Sequence, residues 1–312
     1  MGTKPYTLCA VSPGSAYNQM QTALYSASTG DGLPDDYTAF VPIASGGSGE
    51  AGSVAAYASG TGRLDIYAVP GPGQGFAAPI GSQTHASGWD LLLPFSLGSQ
   101  AMALGYSAAS GTFEFYGLSG VTFKARNHFT GSSPGTAGFT TVLPFLDWDG
   151  STPSGSYMLC YDSNTGQAAI YQLSAGESGK VEVALVWQPS ELWAEGWERF
   201  GLFQLGPENF FLKTNVVHDT VYIDHVMDEA SLGTHPAAKG LPLPLDLTAV
   251  ATFTLLADPC FATYLASSGA VTLNRFQGNL QGWFEGAQVT AIPGGSLAVA
   301  LPGGSFPLIL FY

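Results

Sequence analysis

Basic residues are scarce in this 312-residue chain: 9 Lys and Arg stand against 23 Asp and Glu, for a formal net charge of −14. Charged residues of both signs reach only 10%, against ~25% in an ordinary globular domain. Cations so few and so dispersed exclude a nucleic-acid backbone as partner, and equally an anionic membrane surface. No run of 18 apolar residues occurs, which excludes a transmembrane helix. Cysteine is rare as well. Cys9, Cys160 and Cys260 are odd in number and far apart, so they form no disulfide framework and are expected to pack as small hydrophobes. There is no Asn-x-Ser/Thr sequon, and Met1-Gly2-Thr3-Lys4-Pro5-Tyr6 does not read as a secretory signal. These absences favour a cytoplasmic over a secreted location. No Gly-x-Ser-x-Gly elbow, Walker loop, zinc-finger spacing or dinucleotide fingerprint is present, so no cofactor is expected.

What is plentiful is glycine, with 41 residues, beside 46% apolar and 12% aromatic residues. That composition can bury a large core. An internal repeat organises it. Trp89-Asp-Leu-Leu-Leu-Pro-Phe95, Phe139-Thr-Thr-Val-Leu-Pro-Phe145 and Tyr37-Thr-Ala-Phe-Val-Pro-Ile43 read alike. Trp197–Phe203, Leu247–Phe253 and Leu297–Leu301 are weaker copies, so units start near 37, 89, 139, 197, 247 and 297. A second landmark follows, an apolar strand ending in Tyr and then a Ser/Gly turn: Tyr57…Gly62, Tyr106…Gly111, Tyr161…Gly166 and Tyr264…Gly269. In the fourth unit the Tyr position holds Thr214 and the Gly position Asp219.

Alternating apolar residues between Gly/Ser turns predict four antiparallel strands per unit. The expected fold is therefore all-β: a six-bladed β-propeller of four-stranded antiparallel blades over residues 1–312, with seven blades as the rival. The chain stops two strands into the last unit, and the missing outer pair is supplied by Tyr6–Val11 and Gln21–Ala27. An open stack has no use for such a split. A ring needs it, because terminal strands sharing one blade remove the free edges.

This layout resembles fungal fucose-binding lectins and, more loosely, horseshoe-crab-type propeller lectins. The resemblance lies in the repeat and not in binding residues. Those lectins hold one sugar per groove with Arg, Glu and aromatic side chains between blades, whereas Arg63, Arg126, Arg199 and Arg275 share no register here.

In a propeller the first strand of each blade lines a central channel. Tyr37, Trp89, Phe139 and Trp197 start four of these strands and would form an aromatic collar for a flat or greasy ligand, or else staple neighbouring blades. The fourth unit diverges most. His218 beside Asp219 could work as general acid or base, with Arg199 or Lys213 steadying developing negative charge. His235, Lys239, Glu191 and Glu195 lie near in sequence. Strand alternation sets Asp224 and His225 on opposite faces, which argues against one metal centre. Asp147-Trp148-Asp149-Gly150 opens like a calcium loop but lacks the later acidic ligands.

Repeated framework residues with divergent polar ones favour a single-site small-molecule binder over a multivalent lectin. The expected activity is a cofactor-independent biosynthetic enzyme that cyclises, cycloadds or dehydrates an apolar or aromatic substrate by orientation. Pocket character is similar to that of cofactor-free fungal cyclases, including the hetero-Diels–Alderases of tropolone–terpene pathways. A carbohydrate-binding lectin with sites between blades is the alternative, its partner a glycan.

Overall fold

The computed structural model describes residues 2–16, 19–28, 30–43, 52–131, 135–149, 152–215, 220–226, 234–241, 247–301 and 307–312. Six four-stranded antiparallel sheets account for nearly all regular structure. Among the described residues the one helical element is the short 3-10 turn Glu177–Gly179.

Blade 1 comprises Ala39–Ile43, Ser53–Ala58, Arg63–Ala68 and Gly81–Thr84; blade 2 comprises Leu91–Leu97, Gln100–Ser107, Thr112–Ser119 and Thr122–Thr130. Blade 3 runs through Thr141–Asp149, Thr152–Tyr161, Ala168–Ala175 and Val181–Trp187; blade 4 through Trp197–Leu205, Glu208–Asn215, Thr220–Val226 and Thr234–Lys239. Blade 5 is Ala249–Leu255, Asp258–Leu265, Ala270–Phe276 and Trp283–Thr290. Blade 6 joins the two termini, in the order Ala298–Leu301, Leu308–Phe311, Tyr6–Pro13, Met20–Ala27. The expected split blade is therefore present, and the count is six rather than seven. The first strand of each blade touches the first strand of the next, around a closed ring.

Period-two alternation sends successive side chains to opposite faces of a blade, and both faces are buried. On the second strand of blade 2, Ala103 packs toward blade 1 while Leu104 packs toward blade 3. The core is thus a series of layers between blades, such as Phe145, Leu159, Ile170 and Phe211 between blades 3 and 4. Cys9, Cys160 and Cys260 are free and buried within these layers. Burial pushes the Cys9 thiol up to about 12 and the Cys260 thiol up to about 11, so both pack as neutral groups.

The Tyr that closes the second strand in five of the blades has a definite task. Tyr106 Oη donates to Thr136 O (2.6 Å) and accepts from Phe139 N (2.9 Å). Tyr57 does the same with Ala86 O and Trp89 N, and Tyr161 with Ala194 O and Trp197 N. Tyr264 bonds Ile292 O and Gly295 N, and Tyr312 donates to Pro34 O. Each hydroxyl locks its blade to the connection leading into the next one.

The turn glycine completes this lock. Gly62, Gly166 and Gly269 sit at φ +72, +73 and +75, a region that L side chains disfavour. A Cβ there would also collide with the carbonyl of His85, Trp193 or Ala291, the residue that hydrogen-bonds back to the glycine.

Candidate functional site

The four proposed collar aromatics are closed off from the channel. Tyr37, Trp89, Phe139 and Trp197 are 4%, 8%, 1% and 5% exposed, each in a layer between blades. They staple blades and do not ring a mouth. The reason is the lock just described, which draws each strand start under the preceding blade's Tyr.

The open space lies at the other end of the same strands. A chamber of about 450 Å³ is lined by the closing residues of five first strands. They read Pro42-Ile43, Pro94-Phe95-Ser96, Pro144-Phe145-Leu146, Leu202-Phe203-Gln204 and Thr252-Phe253-Thr254, joined by Ala101, Met102, Leu118 and Asn209. The open apolar belt is the register of Pro42, Pro94, Pro144 and Leu202. Behind it, four phenylalanines and Ile43 share the following register but are only 6–8% exposed and pack in the layers between blades. The next register, one residue nearer the hairpins, holds Ser96, Leu146, Gln204 and Thr254. Among the described residues, none that lines the chamber carries an ionisable group. The signal was in the sequence, since these are the last residues of the repeated heptapeptides, whereas the expectation rested on the first.

The polar groups of blades 4 and 5 are ordered by neighbours. Asn209 Nδ2 donates to Leu146 O at 2.6 Å, and Asn209 Oδ1 accepts from Gln204 Nε2 at 3.2 Å. Thr252 Oγ1 donates to Leu202 O at 2.5 Å. Asn209 is 3% exposed, while Gln204 and Thr254 are exposed on the wall.

The charged residues of blade 4 lie elsewhere. Lys213 Nζ is 2.8 Å from Asp224 Oδ2, and both residues are buried, at 4% and 2%. The Trp193 and Trp197 rings flank the ammonium at 4.1 and 4.4 Å. Burial lowers the Lys213 pKa, and Asp224 opposes that shift. Asp224 Oδ1 has no hydrogen-bond partner among the described residues. Lys213 is therefore enclosed by its own protein, at the seam with blade 3.

Arg199 serves the opposite seam. At φ +50, in a break of the ladder between Glu198 and Gly201, it donates Nε to Leu247 O at 3.1 Å. It replaces a lock that Thr214 cannot supply, because the Thr hydroxyl reaches only Glu198 O within its own blade. His225 stacks on Phe210 at 4.8 Å, on the face opposite Asp224, as alternation requires. His218 and Asp219 lie outside the described residues. The strands flanking them end at Asn215 and begin at Thr220, away from the chamber end. Asp147 and Asp149 close the first strand of blade 3, and Gly150 is outside the described residues. Among the described residues no three His, Cys, Asp or Glu side chains gather as a metal site.

A second cavity, about 460 Å³, opens between blades 6 and 1, with Tyr6, Asp31, Arg63, Asp65, Tyr67 and Phe76 on its walls. Its polar groups bind one another. Asp65 accepts from Tyr37 Oη (2.5 Å) and Ser82 Oγ (2.6 Å) and pairs with Arg63 (2.9 Å), which also reaches Asp36 (2.7 Å).

Ring, blades and chamber define the molecule as a closed six-bladed β-propeller. No protein-family model matches the sequence, and no curated protein matches it. Solved propellers are similar in shape. One from Bacteroides fragilis, provisionally named a 6-phosphogluconolactonase, has 14% identity and a TM-score of 0.48, over 98% of this chain and 87% of its own. A Desulfotomaculum acetoxidans protein of unknown function has 10% identity and a TM-score of 0.49, over 96% and 83%. A luciferin-regenerating enzyme has 9% identity and a TM-score of 0.48, over 88% and 91%. Those activities belong to those proteins, since a fold hosts many functions.

Proposed function

We propose that this protein binds one apolar small molecule in the central chamber and, as a cofactor-independent enzyme, folds that substrate for cyclisation or cycloaddition. The observation that carries the reading is the chamber's described lining, an apolar belt of prolines and leucines backed by phenylalanines, in which no described side chain is ionisable. A charged ligand would lose its hydration there without gaining a counter-charge. The same lining disfavours dehydration, which needs an acid or base at the reacting atoms. Cyclisation and cycloaddition need only a near-attack shape and one or two hydrogen bonds.

Ala101 is exposed on the chamber wall, so Ala101→Trp fills the space without disturbing a core layer. Calorimetry with uncharged polyenes, terpenoids and polycyclic aromatics is expected to give one site per chain, lost in Ala101→Trp while the thermal transition stays. Turnover of a bound polyene would leave its mass unchanged, and loss of water would argue for dehydration. Binding undiminished by the tryptophan would refute the chamber as the site.

A second reading is carried by the cavity between blades 6 and 1. Its arginine, carboxylate and aromatic walls suit a saccharide, and it makes one groove rather than six. Glycan-array binding abolished by Tyr67→Ala but indifferent to Ala101→Trp would favour it.

A further inference from the structure

The chamber is not uniform around its ring, and the difference bears on what it takes. This inference rests on the chamber reading and concerns which part of the ligand the protein recognises. In the register one residue nearer the hairpins, blade 2 offers the hydroxyl of Ser96, blade 3 the hydrocarbon of Leu146 and blade 5 the hydroxyl of Thr254. Among the described lining residues, blade 4 alone offers an amide. Gln204 faces Asn209 across its hairpin, and Asn209 holds one Gln204 N–H while its own amide nitrogen is tied to the backbone of blade 3. A buried amide anchored at both ends thus fixes an exposed one. Gln204 keeps its carbonyl oxygen and its second N–H for another partner, since an amide offers two donors and an acceptor with two lone pairs. Beyond it toward the strand starts lie Leu202 and the proline register of Pro42, Pro94 and Pro144, which offer only contact area.

We propose that Gln204 is the specificity-determining anchor of the chamber. It hydrogen-bonds the single carbonyl or hydroxyl of an otherwise hydrocarbon, uncharged ligand. Such a ligand lies with that group toward the hairpins and its hydrocarbon body against Pro42, Pro94, Pro144 and Leu202. Asn209 is a positioning residue. It touches no ligand and acts by holding the Gln204 amide in one orientation. For a substrate that cyclises through a conjugated carbonyl, the Gln204 N–H is placed to withdraw electron density from that carbonyl.

The test uses the full chain and two uncharged fluorescent probes, the naphthyl ketone prodan and its analogue lacking the propionyl group. Gln204→Leu keeps the size of the side chain and removes the amide. It is expected to weaken prodan binding roughly two- to tenfold, the range set by one hydrogen bond. Prodan emission should shift to the blue as its carbonyl loses the donor, and the analogue's affinity should stay as in wild type. Gln204→Asn should restore part of the emission position if reach as well as chemistry matters. Asn209→Ser should broaden prodan emission with a smaller loss of affinity. Equal losses for both probes, or none for either, would overturn the anchor while leaving the chamber intact. Prodan binding that survives Ala101→Trp unchanged, or no binding to the wild type, would overturn the chamber reading and the anchor with it.

Discussion

The Tyr locks predict a sharp alkaline limit to the fold. Burial raises the pKa of Tyr57, Tyr106, Tyr161, Tyr264 and Tyr312, with Tyr161 pushed up to about 12. In the unfolded chain these phenols titrate near ~10. Below that pH both states are neutral and the locks contribute fully. Above it the unfolded chain releases protons that the folded chain retains, so stability falls as pH rises toward the folded pKa. Each phenol contributes up to about 1.4 kcal/mol per pH unit between its unfolded and folded pKa, and the three raised furthest, Tyr106, Tyr161 and Tyr312, together about 4 kcal/mol per unit. A total stability at the lower end of about 5–15 kcal/mol would then be exhausted a little above about pH 11. Tyrosinate absorbance and far-UV circular dichroism, followed together through an alkaline titration, are expected to change in one cooperative step. Removing one lock with Tyr106→Phe leaves Thr136 O and Phe139 N without their partner, which costs about 2 kcal/mol and moves the step to lower pH. Lock tyrosines that ionise gradually near ~10 while the dichroism stays unchanged would refute the reasoning.

Other seams give further expectations. Asp224→Asn leaves the buried Lys213 ammonium without its counter-charge and should destabilise by about 3–5 kcal/mol in urea unfolding, whereas Lys213→Met with Asp224→Leu should come out near neutral. Gly166→Ala forces a left-handed residue and meets the Trp193 carbonyl. It should cost at least about 1–2 kcal/mol, and Gly60→Ala, which meets nothing, is its control. Arg199→Ala should lower stability through the seam between blades 4 and 5 while chamber binding persists. An unchanged melting temperature would show that the Arg199–Leu247 contact contributes nothing.

Much of this architecture is written along the chain. Alternation, a Tyr at the end of the second strand in five blades and a Gly five residues later in four of them are local signals, and each acts through neighbours in its own blade or the adjoining connection. The surplus of first strands over complete units likewise implies a ring, because edges left unpaired would be exposed. The low charge follows from sheets buried on both faces.

The site was legible only in part. The heptapeptide Trp89–Phe95 carries both a stapling residue and a chamber residue, one at each end, and pattern alone treats them alike. Which end stays open depends on the Tyr hydroxyl of the preceding blade, and that contact exists only once the blades are stacked. The same holds for Lys213 and Asp224, which look like free functional groups in sequence. Strand register sets them face to face under two tryptophans. The sequence by itself determined the four-stranded unit and how the ring closes, since those follow from short-range periodicity, while the structure decided for six blades over seven. Tertiary structure alone decided where the cavity lies and which polar groups face it, because five blades, more than two hundred residues apart at the extremes, must converge before the chamber exists.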